Sequence, residues 1–199
     1  MEAHAAAEHH HGPPPANVSS RVDARVLGML LFIGSEIMLF GSFFTAYFFV
    51  RVVNKYPWPP HGEHLPVFVA GVNTAILVTS SFTMHWALQS VKRGNRAGLR
   101  AGLVLTLFMG LSFLLTQIAE YSRIGFAPGD NAFATVFFSL TGLHGMHVFV
   151  GLMLLLVATR RAFKGHFSPQ HHLGVELPGI YWHFVDVMWI VVYITVYIL

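Results

Sequence analysis

The 199-residue sequence is 54% hydrophobic, only 11% charged and contains 18 phenylalanines, which excludes a water-soluble domain of this size because its interior could not hide so much apolar surface. It has no cysteine, so thiolate metal sites, disulfides and CxxCH haem attachment are excluded as well. The net charge of +3 is no sign of nucleic-acid binding, since the basic residues gather at the ends of the apolar runs, where a membrane surface accounts for them.

Residues 1–26 form a polar arm rich in histidine and proline, with His4, His9-His10-His11 and Pro13-Pro14-Pro15. That composition predicts a disordered cytoplasmic segment rather than a metal site. It is too polar for a cleavable signal peptide, so the first apolar segment is expected to act as an uncleaved anchor. Residues 27–199 then hold five apolar segments, at about 27–50, 66–88, 101–119, 132–159 and 177–199. Each reaches the roughly 20 helical residues needed to cross a hydrocarbon core of about 30 Å. Helices are required because an open strand edge leaves its backbone groups unsatisfied in lipid. The predicted fold is therefore an all-α integral membrane bundle of five transmembrane helices. Its connections are short and rich in breakers, such as Pro57-Trp58-Pro59-Pro60 and Pro128-Gly129-Asp130.

Basic residues set the orientation. Arg21, Arg25, Lys92, Arg93, Arg96, Arg100, Arg160, Arg161 and Lys164 fall on the side of the N-terminus, against Arg51, Lys55 and Arg123 on the other. This excess predicts a cytoplasmic N-terminus and a C-terminus outside.

Ionisable residues within the spans stand out against this background. Glu36 lies roughly 14 Å into the first span, close to the midplane. A carboxyl there must face protein or water. It is either a neutral acid bonded to a neighbouring helix or a group that exchanges protons. Gly34, Ser35, Gly41 and Ser42 around it are small enough to let a partner helix approach, so this face is expected to pack on protein. The third span ends on Gln117 and Glu120, the fourth carries His144 and His147, and the fifth His183 and Asp186. The histidine pair of the fourth span shares a helix face. Two such rings could ligate a metal or haem, but no complete site is evident, and the expectation for these residues is a network of interhelical hydrogen bonds.

Taken in order, these segments resemble subunit III of the haem–copper oxidases. The resemblance begins with Gly28-Met-Leu-Leu-Phe-Ile-Gly-Ser-Glu36-Ile-Met-Leu-Phe and continues through Trp58-Pro59-Pro60, Asn73-Thr74 and Gln117-Ile-Ala-Glu120-Tyr121. Thr141-Gly-Leu-His144-Gly-Met-His147-Val and His171-His172-Leu-Gly174-Val-Glu176 follow. Tyr181-Trp182-His183-Phe184-Val185-Asp186-Val-Met-Trp189 is the most specific element.

The resemblance implies an accessory subunit in a bacterial plasma membrane, without redox cofactor or metal of its own. It would pack directly on subunit I, which carries haem and copper, with subunit II and a small subunit IV in the same complex. Its implied role is to support proton uptake and sustained turnover, with bound phospholipid. The electron donor, cytochrome c or a quinol, would be bound by other subunits. Glu36 corresponds to the family's carbodiimide-reactive glutamate. Glu120, His144, His147, His183 and Asp186 carry over as structural polar residues, and none as catalytic. The five spans are similar to a short bacterial form; larger members have two further N-terminal helices that form a V-shaped lipid cleft. Alternatives are the equivalent subunit of a quinol oxidase or nitric oxide reductase, or an independent proton or metal transporter. The last is disfavoured by the lack of inverted repeats and broken helices.

Overall fold

The computed structural model describes residues 23–54, 57–60 and 65–199. The His/Pro-rich stretch 1–22 lies outside the described residues. Five helices follow in chain order: α1 (Ala24–Val53), α2 (Val67–Lys92), α3 (Arg96–Tyr121), α4 (Ala132–Phe163) and α5 (Leu173–Tyr193), the last continued by a π-helical turn (Ile194–Ile198). All five are long and apolar enough to cross a membrane.

Helices α1 and α3 begin ahead of their apolar segments because polar caps, rather than the onset of hydrophobicity, start them. Asp23 caps α1, its carboxylate accepting from the Arg25 backbone N–H at 2.8 Å and from the guanidinium at 3.0 Å. The bond from the Arg25 side chain holds the Asp23 carboxyl below the usual carboxylate range. Asn95 and Asn131 cap α3 and α4 in the same way, accepting from Gly98 N–H and Ala134 N–H. Helix α1 thus starts inside the stretch expected to belong to the arm. Helix α5 departs from a continuous helix at Tyr193. There the ladder widens so that Leu199 N–H bonds the Ile194 carbonyl at 3.0 Å. The wider turn brings the Tyr197 ring against Phe137, 6.0 Å between centroids, and stacks it on Tyr193 at 5.6 Å.

Helices α2 to α5 form the body of the bundle, and α1 lies along its side against α4 and α5. The α2–α3 hairpin turns through Gly94, whose φ of 75° is open to glycine and strained for other residues. Small residues then bring the two helices together, since a Cβ on Gly102 would sit 2.7 Å from that of Ala87. Trp182 of α5 is the wedge of the bundle. It is fully buried, and its ring lies against two glycines, Gly110 on α3 and Gly151 on α4. A Cβ at Gly151 would come within 2.8 Å of Trp182 Cε3, and one at Gly110 within 2.5 Å of Trp182 Cη2. The ring has nowhere to retreat. Gly151→Ala is therefore expected to cost about 1–3 kcal/mol, read as a lower melting temperature of the detergent-solubilised protein. An unchanged melting temperature would show that the tryptophan can reorient.

Basic residues crowd one end of this bundle. The Arg100 guanidinium reaches the carbonyls of Ala162 and Phe163 at 3.4 and 3.5 Å. Lys92 at the end of α2 pairs with Glu176 at the start of α5 at 3.9 Å, and His172 lies 3.5 Å from the same carboxylate. At the opposite end Arg51 bonds the Leu199 carbonyl, and Trp58 donates to the Tyr47 hydroxyl at 3.0 Å.

Candidate functional site

Helix α1 is fastened to the bundle by one stripe of residues. Glu36, Phe40 and Tyr47 fall at intervals of four and seven, hence on one helix face. Phe40 and Tyr47 are the two fully buried side chains of α1. Phe40 packs on the His147 ring at 5.0 Å and on Phe184 at 6.2 Å, and Tyr47 packs on Trp58 at 5.4 Å. Between these apolar anchors and the N-terminal end of the helix, the Glu36 carboxyl oxygen Oε2 meets His147 Nε2 at 2.8 Å.

The protons in this contact can be counted. His147 Nδ1 lies 2.7 Å from the carbonyl oxygen of Leu143, one turn earlier on α4. A carbonyl only accepts, so Nδ1 carries a proton. The contact between Nε2 and Oε2 then holds one further proton. It sits on the carboxyl if the imidazole is neutral and on the imidazole if the carboxyl is ionised. The pair has no net charge in either arrangement, which is the condition for holding an acid inside a bilayer at modest cost. Tyr181 adds a second tie by donating to the His147 carbonyl at 3.3 Å.

The pair is not sealed. Glu36 and His147 line a groove of about 260 Å³ with Phe32, Leu39, Met146, Val150 and Tyr181. Beside it, ideal Cβ atoms on Gly28, Gly34 and Gly41 meet nothing within 4 Å. The expected packing around Glu36 thus divides in two. The carboxyl faces α4, whereas the small-residue face is left open among the described residues. Ser35 and Ser42 donate to the carbonyls of Phe32 and Leu39 at 2.6 and 2.7 Å, which leaves that face smooth and without unpaired hydroxyl protons.

The other expected residues lie elsewhere. His183 and Asp186 share a partner on α2, with Ser81 Oγ 3.0 Å from His183 Nδ1 and also bonded to Asp186 Oδ2. His144 does not join His147. Its ring is fully buried between Phe113 and Trp189, at 5.8 and 4.8 Å, with neither nitrogen bonded among the described residues. Glu120 pairs at 3.8 Å with Arg123, three residues on and just past the end of its own helix. No three His, Asp or Glu among the described residues are grouped to hold a metal ion.

Sequence reasoning overlooked Ser81 and Ser80, and named Thr74 only within a family motif, with no partner for it. Ser80 accepts from Trp182 Nε1 and Thr74 from Trp189 Nε1, both at 2.9 Å. Serine and threonine in an apolar helix usually bond their own backbone. The usable signal was the count of polar groups on α5 that needed partners.

Comparison with known proteins agrees with this architecture. The family model for cytochrome c oxidase subunit III matches residues 8–199. Cytochrome c oxidase subunit 3 of Thermostichus vulcanus is 43% identical over 178 residues, covering 89% of this chain and 88% of the relative. The protein of the same name from Synechocystis is 42% identical over 96% of this chain and 78% of its own length. That of Rattus norvegicus is 38% identical over 85% of this chain and 67% of its own length. With a match over nearly the whole length and five membrane-crossing helices, this chain belongs to the cytochrome c oxidase subunit III family.

Proposed function

We propose that this chain is an accessory, multi-pass subunit of a proton-pumping cytochrome c oxidase in a bacterial plasma membrane, with its N-terminus in the cytoplasm. Haem and copper reside in its partners, and it packs on subunit I through the open face of α1, with subunit II and a small subunit IV in the same assembly. The observation that carries the reading is the Glu36–His147 pair, a carboxyl and an imidazole sharing one proton at a groove on the flank of the bundle. The pair is suited to exchange protons in support of uptake by the neighbouring subunit. The small residues beside it favour close approach of a foreign helix, and the groove fits a lipid chain. The basic end of the bundle supports the orientation. The names of the relatives favour cytochrome c over quinol as the electron donor of the complex.

The test is carbodiimide labelling of the intact oxidase. Glu36→Gln is expected to leave the complex assembled and oxygen reduction largely intact, because the amide keeps the shape and still donates to His147. Labelling of this chain should disappear. Undiminished labelling in the variant would assign the reactive carboxyl to another residue. Loss of haem from a complex purified through this chain would remove the oxidase assignment altogether.

A further inference from the structure

The buried carboxyl of α5 and the polar residues of α2 beside it play no part in the Glu36 contact, yet they form a chain of their own. Asp186 is only 3% exposed, and its Oδ1 has no partner among the described residues. Its Oδ2 is bonded by Ser81, whose Oγ also lies 3.0 Å from His183 Nδ1. One turn further along α2 stands His85, exposed on the helix flank, with its Nε2 3.3 Å from Nε2 of Gln89, a turn further still. His85 is seven residues short of Lys92, which places it roughly 10 Å inside the basic end of the helix. An imidazole exposed at such depth calls for protein or water rather than lipid. The remaining titratable groups that pack against α5 at mid-depth face other ways. His144 lies on Trp189 and Phe113, and the Glu36–His147 pair lies between α1 and α4.

The serine makes the cluster a relay. Its hydroxyl carries one proton and lies between one acid and one base, so only two arrangements satisfy every contact. In the first, His183 Nδ1–H donates to Ser81 and Ser81 donates to the Asp186 carboxylate. In the second, protonated Asp186 donates to Ser81 and Ser81 donates to a bare Nδ1. The first converts to the second when a proton arrives at His183 Nε2. The Nδ1 proton passes to Ser81 and the Ser81 proton passes to Oδ2. The imidazole ends neutral, protonated on Nε2, and the carboxylate ends as the acid. No atom or charge is left over.

We propose that Asp186 is a second proton-holding site of this chain, separate from Glu36, loaded from the basic end of the bundle by way of His85, His183 and Ser81, with the Gln89 amide orienting the His85 ring. The step from His85 to His183 has no direct hydrogen bond and requires a water molecule between the two rings. Alanine at position 81 breaks the relay and leucine at position 85 closes its entrance, while Glu36 remains outside it.

Infrared spectroscopy of the intact oxidase in lipid nanodiscs tests this. A carbonyl-stretch band of a protonated carboxylic acid should vanish in Asp186→Asn and persist in Glu36→Gln, so the outcome is independent of the Glu36 reading. On transfer to heavy water, exchange of that acid proton should slow by roughly tenfold or more in Ser81→Ala and in His85→Leu. Absence of any acid band sensitive to Asp186→Asn would overturn the proposal, as would unaltered exchange in both relay variants. Should Asp186→Asn fail to assemble, Ser81→Ala alone decides. Loss of the hydroxyl partner must move an acid band to higher frequency, and an unchanged spectrum refutes the site.

Discussion

Trp182→Ala is expected to destabilise the bundle by about 3–5 kcal/mol, enough to prevent recovery of the chain with its partners from detergent. The magnitude follows from where the side chain lies. Trp182 is fully buried, touches α3 and α4 through the glycines Gly110 and Gly151, and donates to Ser80 on α2. One residue thus ties three helices to α5. Lipid tails are as apolar as the side chain, so in a bilayer the loss is one of packing and not of hydrophobic transfer. The two glycines cannot refill the cavity because they have no side chains to move into it. The Ser80 hydroxyl, which already donates to the Leu77 carbonyl at 2.6 Å, loses the donor it accepts from. Trp182→Phe separates the terms, since it keeps one ring against the glycines and gives up the bond. Its expected cost is smaller, about 1–2 kcal/mol. The measurement is the thermal melting of the solubilised complex. Equal losses for the two variants would place the energy in the hydrogen bond rather than in the wedge.

The second large effect is expected at His147. His147→Leu leaves the Glu36 carboxyl without its one interhelical partner, at a cost of about 1–3 kcal/mol. Because α1 meets the body of the bundle only along one stripe, that cost should appear as weakened docking of α1. Phe40 and Tyr47 would then hold the helix with little polar help. Leucine also removes the ring on which Phe40 packs. The double variant Glu36→Leu, His147→Leu discriminates. Removing both polar groups spares the desolvation penalty, so it should regain most of the stability that the single variant loses. Protease sensitivity of the loop after α1, followed alongside melting, reports the docking directly. A double variant no better than the single one would mean that the bond between these residues does not hold α1 in place.

Membrane insertion, the number of spans and the basic side of the bundle were legible in the sequence because lipid imposes a uniform demand. Every span must be long, apolar and helical regardless of what it packs against. Glu36, His147, His183 and Asp186 were legible for the same reason, since an ionisable residue in an apolar helix has few excuses. Their partners were not. Glu36 and His147 are 111 residues apart, and Ser81 and Asp186 are 105 apart. No local pattern encodes such pairings. His144 and His147 share a helical face in sequence spacing, yet the first points into the α3–α5 core and the second toward α1. Helices α1 and α3 began ahead of their apolar segments because Asp23 and Asn95 supply caps that hydropathy does not register. The spans followed from the solvent. Which polar groups meet, which glycines admit Trp182 and which face of α1 stays open were decided by helix packing, where contacts between residues distant in the chain compete for the same few square ångströms.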